Sequence, residues 1–316
     1  MTTSLKQYAV DKQRISVSGI SAGAFMAHQL HIAFSDVFCG AGLVAGGPYL
    51  TSQGSLWGAL AHGLRGMPPP DHVQLSGFAE SLAGRGGIAD LGNLKTSRAW
   101  IFHGTQDTVV RRCVSNALVE FYRRFMDDGA ICYVDNVDAV HAMPTNQFGT
   151  RLSGKAESPY IINCDYDAAG ELLQHIHGPL QPRAQDLKGE LVQFDQTPFI
   201  TKHQRHSMDN LGYVYLPSAA LEGRPCGVHV ALHGCKQYRG LVGDVFAAQA
   251  GYNAWAESND LIVLYPQATA AATFSLYNPL GSWDWWGYSG QDYALRSGQQ
   301  MKAIVDMVNV VAGDNA

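Results

Sequence analysis

The pentapeptide Gly19-Ile20-Ser21-Ala22-Gly23 reads G-x-S-x-G, set between a strand-like run at 14–18 and a helical pattern at 22–34. A serine on such a sharp strand-to-helix turn has its hydroxyl lifted above the sheet, and the flanking glycines relieve collisions that the turn would otherwise create. That is one way a chain presents a nucleophile. The plainer alternative is a Ser-Gly turn in which Ser21 caps the helix. The strand before it and the helix after it weigh toward the nucleophile.

A serine hydroxyl attacks an acyl carbon when a histidine accepts its proton and a carboxylate holds that histidine in the right tautomer. Where the nucleophile stands above a parallel sheet, the acid and then the base follow in loops after later strands. "HGTQDTVV" puts Asp107 just past a candidate strand at 98–103, and "VDAVHAMPT" puts His141 in the loop after one at 131–135. Asp107 has an alternative use as an Asx-turn residue. Other carboxylates fit less well: Asp127 and Asp128 end a candidate helix, Asp135 and Asp138 lie too near His141 in the chain, and Asp165 and Asp167 read as turn residues. His28 and His31 are spaced i, i+3 but lack a third ligand, so they read as surface or packing histidines, as do His175, His177, His203 and His206. No metal and no organic cofactor is expected.

The same chemistry needs backbone N–H groups to hold an oxyanion, one of them normally from a His-Gly loop upstream of the serine. Only a short tail precedes Ser21. A loop of that kind stands far downstream instead, in "VHVALHGCKQ", where a candidate strand at 228–232 runs into His233-Gly234-Cys235.

Short apolar runs alternating with helical patterns are what must position these residues, and that alternation predicts an α/β fold with a mostly parallel sheet. Candidate strands fall at 14–18, 39–45, 98–103, 131–135, 213–217, 228–232 and 261–265, and helices at 22–34, 115–128, 168–177, 243–257 and 292–311. Residues 46–95 and 266–291 read as loops carried on the sheet. The last helix would lead straight into the strand before the serine, yet that strand is at the start of the chain. This order is that of a circular permutation, tolerated where the old termini lie close together at the surface.

Hydrophobic residues make up 46% of the 316 and charged residues 16%, which describes a globular chain rather than a disordered one. A net charge of -5 removes the generic electrostatic case for a nucleic-acid partner, and no apolar run approaches a membrane span. The six cysteines, at 39, 113, 132, 164, 226 and 235, are even in number and lack C-x-x-C spacing, which favours disulfides and an oxidising compartment. Cys226 and Cys235 flank a candidate strand, roughly 25 to 30 Å apart at strand rise, and so do not pair with each other. The first residues contain no apolar signal core; the expectation is an exported protein whose leader is absent from this chain.

The set GISAGAF, HGTQDTVV, VHAMPT, LHGCKQ and NPLGSWDWWGY, spread in this order over residues 14–312, resembles the circularly permuted catalytic domain of short-chain poly(3-hydroxybutyrate) depolymerases, the single-domain fungal type above all. The resemblance implies a circularly permuted α/β-hydrolase fold with helices on both faces of the sheet, and a single catalytic domain over residues 1–316. It implies Ser21 as nucleophile, His141 as general base, Asp107 as its orienting acid, and the N–H groups of Ala22 and Cys235 as oxyanion donors. The implied partner is a polyester polymer or its oligomers, hydrolysed through an acyl-enzyme by a secreted monomer. The linker and substrate-binding domain that many bacterial members carry are not in this sequence, which leaves oligomers or amorphous polymer as preferred substrates.

"LYNPLGSWDWWGYSG" concentrates Tyr277, Trp283, Trp285, Trp286 and Tyr288 in one loop. One of the tryptophans is expected in the core; Trp285 and Trp286 are assigned to substrate contact, as an apolar wall for methyl and methylene groups. Two rivals stand beside the polyester reading: a feruloyl or acetylxylan carbohydrate esterase, which shares the chemistry, and a non-catalytic surface-binding module of the same fold.

Overall fold

The strand that ends at Ser21 runs through the middle of a nine-stranded sheet. The computed structural model describes residues 2–151, 155–201, 205–273 and 276–314. Among these, the sheet strands are β1 (Thr2–Thr3), β2 (Val10–Ile20), β3 (Gly40–Val44), β4 (Arg98–Phe102), β5 (Ile131–Val134), β6 (Glu190–Asp195), β7 (Leu211–Leu216), β8 (Cys226–Leu232) and β9 (Leu261–Tyr265), in spatial order β1-β6-β7-β9-β8-β2-β3-β4-β5. The run from β9 to β5 is parallel throughout; β7 pairs antiparallel with both β6 and β9.

Helices cover both faces, so strands such as β3 and β9 are buried on both sides and read as unbroken apolar runs. Strand alternation sends Val17, Leu43 and Ile101 to one face and Trp100 and Phe102 to the other. The first face packs α1 (Ala22–Ala33), α2 (His72–Gly84), α3 (Arg112–Tyr122) and α7 (Gln299–Ala312). The second packs α4 (Ala168–His177), α5 (Val245–Gln249) and α6 (Tyr252–Ser258). On the second face, Ser16 and Ser18 of β2 interrupt the apolar pattern. Ser16 meets His177 and His229, and Ser18 meets His229 and Tyr252, all at 2.7–2.9 Å, so each buried polar atom has a partner.

Several expectations change. Residues 46–95 are no plain loop: they hold Leu56–Gly58, a π-helical turn at Ala59–Leu64, and α2, whose Asp71 cap accepts from the N–H groups of Val73 and Gln74. The helix expected at 243–257 is two, α5 and α6, because Gly251 takes φ 96° between them. The helix expected at 115–128 runs instead over Arg112–Tyr122, and the last helix starts at Gln299 rather than 292. Strand β6, whose "ELVQFD" alternates only weakly, has no counterpart among the candidate strands.

All six cysteines are free thiols, which corrects the disulfide expectation. Their residues serve separate places in the fold: Cys226 opens β8, Cys235 follows its far end, Cys132 lies in β5 and Cys113 in α3. With no bridge, an even cysteine count is no argument for export. Among the described residues, no helix is long and apolar enough to cross a membrane.

Candidate active site

Ser21 occupies the N-cap position of α1, but its side chain makes no capping hydrogen bond. Its backbone sits at φ 55°, ψ -123°, a conformation that costs a non-glycine residue energy and is held only where surroundings over-determine it. Those surroundings are visible: the Ser21 N–H donates to Val44 O at 2.9 Å, and Ser21 O accepts from Phe25 N–H at 3.0 Å. The two glycines of the pentapeptide are explained by close approach. A Cβ on Gly19 would stand 2.9 Å from Ala24 N and nearer still to the Gly23 carbonyl, and one on Gly23 would strike the carbonyls of Leu232 and His233 at the end of β8.

Freed from capping, the Ser21 hydroxyl faces His141, with Oγ 2.8 Å from Nε2. The other ring nitrogen, Nδ1, donates to Asp107 Oδ2 at 2.7 Å. The carboxylate partner on Nδ1 sets the tautomer and leaves Nε2 as acceptor for the serine proton. Asp107 also accepts from the N–H groups of Val109 and Val110 through Oδ1, at 2.8 and 3.1 Å. The Asx-turn use and the acid use are therefore one arrangement: one oxygen holds the loop, the other faces the histidine. The two loops are tied directly, Thr105 N–H to Val137 O at 3.0 Å and Gln106 N–H to Ala139 O at 3.1 Å.

The competing groups are engaged elsewhere. Asp135 pairs with Arg112, Asp128 with Arg123 and Asp167 with Arg183, while Asp138 accepts from the Thr105 hydroxyl. His28 and His31 are wholly buried rather than at the surface. His28 packs edge-on to Phe121, and His31 bonds the Tyr122 hydroxyl and Ser97; burial pushes both imidazoles down to about 3. His175 bonds Ala130 O and His206 receives the Met208 N–H; His203 lies outside the described residues. No group of three or more metal-binding side chains occurs among the described residues.

At the serine, Ala22 is the first residue of α1, where a helix leaves its N–H groups without intrahelical acceptors. Cys235 lines the same cavity, and among the described residues its N–H donates to no other residue. The loop that carries it is braced: Gly234 N–H donates to Gln237 Oε1 at 2.7 Å, and Gln237 Nε2 donates to Pro159 O and Tyr160 O. His233 accepts the Ala268 N–H at Nε2 and donates from Nδ1 to Gly234 O; burial holds its pKa down to about 4, so it is a neutral strut.

A cavity of about 360 Å³ opens at Ser21 and His141, walled by Leu56, Leu60, Leu64, Val109, Trp285 and Trp286 among others. Trp283 is the core tryptophan, fully buried, with Nε1 donating to His233 O at 3.0 Å. Trp285 is buried too, stacked on Phe25 at 4.0 Å between centroids, yet one side of it lines the cavity. Trp286 is half-buried and meets Trp285 edge-on. Gln237 and the 56–64 helical turns went unassigned in the sequence. The glutamine stands in the quoted "LHGCKQ", but nothing local shows that it reaches across to residues 159–160.

No family model matches the chain. The chain is 40% identical over 311 residues to a poly(3-hydroxybutyrate) depolymerase of Delftia acidovorans, covering 96% of this chain and 60% of that protein. It is 36% identical over 325 residues to a polyhydroxybutyrate depolymerase of Talaromyces funiculosus, covering 98% of this chain and 93% of the relative. A solved PHB depolymerase with a serine-to-alanine change, complexed with an R3HB trimer, superposes with a TM-score of 0.91 at 35% identity over 98% of this chain and 99% of its own. The crystal structure of PHB depolymerase from Penicillium funiculosum gives the same values.

Proposed function

This chain belongs to the poly(3-hydroxybutyrate) depolymerase family, and from that membership we propose that it is a serine esterase hydrolysing the ester bonds of poly(3-hydroxybutyrate) or its oligomers. The observation that carries the reading is the relay from Asp107 through His141 to Ser21, with 2.7 and 2.8 Å contacts, at the mouth of an apolar cavity.

Ser21 Oγ attacks the ester carbonyl carbon while its proton passes to His141 Nε2. The N–H groups of Ala22 and Cys235 hold the carbonyl oxygen as it becomes an oxyanion. Collapse breaks the bond to the alkoxy oxygen, and His141 returns the proton to the departing hydroxyl. Water, deprotonated by the same nitrogen, then attacks the acyl-enzyme, frees the acid and restores Ser21. Asp107 stabilises the imidazolium without taking its proton.

Trp285 and Trp286 supply the apolar wall for the methyl groups of the chain. The aliphatic lining favours a polyester over a feruloyl or acetyl sugar ester, whose hydroxyls need polar partners. A single catalytic domain and a monomer belong to the same reading, supported by one chain and one sheet furnishing every residue of the site. So does a circularly permuted order, supported by the Tyr8 N–H donating to Val311 O at 2.9 Å, which sets the last helix beside the strand that leads to the serine. Export belongs to the same reading, supported by a polymer substrate whose chains are too large to be taken up across a membrane.

The test is mass analysis of products from polyhydroxybutyrate film and from short R3HB oligomers, beside feruloyl and acetyl sugars. Hydroxybutyrate monomers or short oligomers from the wild type, absent with Ser21→Ala, are expected; turnover of the sugar esters alone would defeat the reading. Labelling of Ser21 by a fluorophosphonate is expected and would dispose of a non-catalytic module.

A further inference from the structure

Asp284 stands between Trp283 and Trp285 and is almost wholly buried. Its Oδ1 accepts the N–H groups of Trp286, Gly287 and Tyr288 at 3.3, 2.7 and 3.0 Å. Its Oδ2 accepts the Ser289 N–H at 2.8 Å and the Ser289 hydroxyl. Four consecutive backbone donors thus converge on one carboxylate, and no cation pairs with it among the described residues. Only a side chain with two acceptor oxygens satisfies such a set; an amide offers one and turns its own N–H toward the other donors. Burial pushes the carboxyl pKa up, opposed by these hydrogen bonds.

The backbone of the same residue is pinned from two helices. Its N–H donates to Gln300 Oε1 of α7 at 2.7 Å, and its carbonyl accepts from Gln29 Nε2 of α1 at 3.0 Å. Since α1 begins at Ala22, directly after Ser21, the tryptophan loop is registered against the helix that carries the serine. Through Trp283 and His233 O, the loop also touches the strand end that leads to Cys235.

We propose that Asp284 is a positioning residue: it fixes Trp285 and Trp286 relative to Ser21 and thereby sets the enzyme's affinity for the hydroxybutyrate chain. The inference rests on the polyester reading above. Tying the peptide of Trp286 into a ring of fixed N–H groups leaves the apolar wall one orientation, so binding need not order it.

The experiment is steady-state hydrolysis of the R3HB trimer by wild type, Asp284→Asn and Ser289→Ala, with melting temperatures alongside. Asp284→Asn is expected to raise KM about tenfold while kcat falls less than about threefold, the pattern of lost binding rather than lost chemistry. Ser289→Ala, which removes one donor at the protein's edge of the ring, is expected to move KM the same way by about twofold. Wild-type KM in a folded Asp284→Asn protein with a lowered melting temperature would reduce Asp284 to a stability element and overturn the proposal. If that variant does not fold, wild-type KM in Ser289→Ala overturns it equally. A wild type inert on the trimer defeats the polyester reading instead, and the two failures stay distinct.

Discussion

Gly23 and Leu232 meet backbone to backbone, with no room for a side chain between the first turn of α1 and the end of β8. The contact joins the helix start that presents Ser21 to the strand end that leads to Cys235, so the spacing of the two oxyanion donors proposed above, the N–H groups of Ala22 and Cys235, depends on a missing methyl group. Gly23→Ala forces that spacing open. We expect a stability loss on the order of 1–3 kcal/mol from overpacking and a fall in kcat of at least about tenfold as one donor shifts. A denaturant midpoint and steady-state rates on the R3HB trimer check both.

Asp107→Asn keeps an oxygen for the Val109 and Val110 N–H groups but replaces the acceptor that faces His141 Nδ1. The loop should stay folded while the histidine loses its tautomer. Expected is a drop in kcat of about 10⁴ with a near-native melting curve; retained activity would remove Asp107 from the relay.

The two cavity tryptophans should separate by measurement. Trp285 is buried against Phe25, so Trp285→Ala opens a void and should cost about 3–5 kcal/mol of stability. Trp286 is half-buried, and Trp286→Ala should leave the melting temperature within a few degrees of the wild type while raising KM for the trimer about tenfold.

Acid should unfold the protein through its buried neutral histidines. Burial lowers His28 and His31 to about 3, His177 and His233 to about 4, and His229 well below its ordinary value. In the unfolded chain each titrates near 6.5. Below about pH 6.5 the unfolded state therefore binds more protons, and stability falls as pH drops toward about 4. Each such histidine steepens the loss by about 1.4 kcal/mol per pH unit within that window. Asp284, whose carboxyl is raised, works in the opposite direction. Unfolding free energies measured from pH 7.5 to 4.5 should change little down to about pH 7 and decline steeply below about 6.5, and a flat profile throughout would refute the burial of these rings as neutral species.

Much of the site was legible because its logic is local. A serine between glycines at the end of an apolar strand, an aspartate just after a second strand, and a histidine just after a third each follow from steric and topological rules that act over a few residues. Seven of the nine strands of the large sheet could be placed along the chain for the same reason, down to the one that runs into His233-Gly234. The weakly alternating β6 and the α2 helix behind a proline run carried no comparable local signal.

Tertiary structure alone decided the rest. Whether Ser21 caps its helix or faces a histidine depends on His141, 120 residues away. The cysteines could be counted in the sequence, but whether two thiols approach each other depends on the packing of the whole sheet, and here they stay free. Nothing local around Asp284 shows that Gln29 and Gln300, from opposite ends of the chain, hold its backbone in the core. Local sterics determined which residues could react; long-range packing determined which of them stand together and what wall surrounds them.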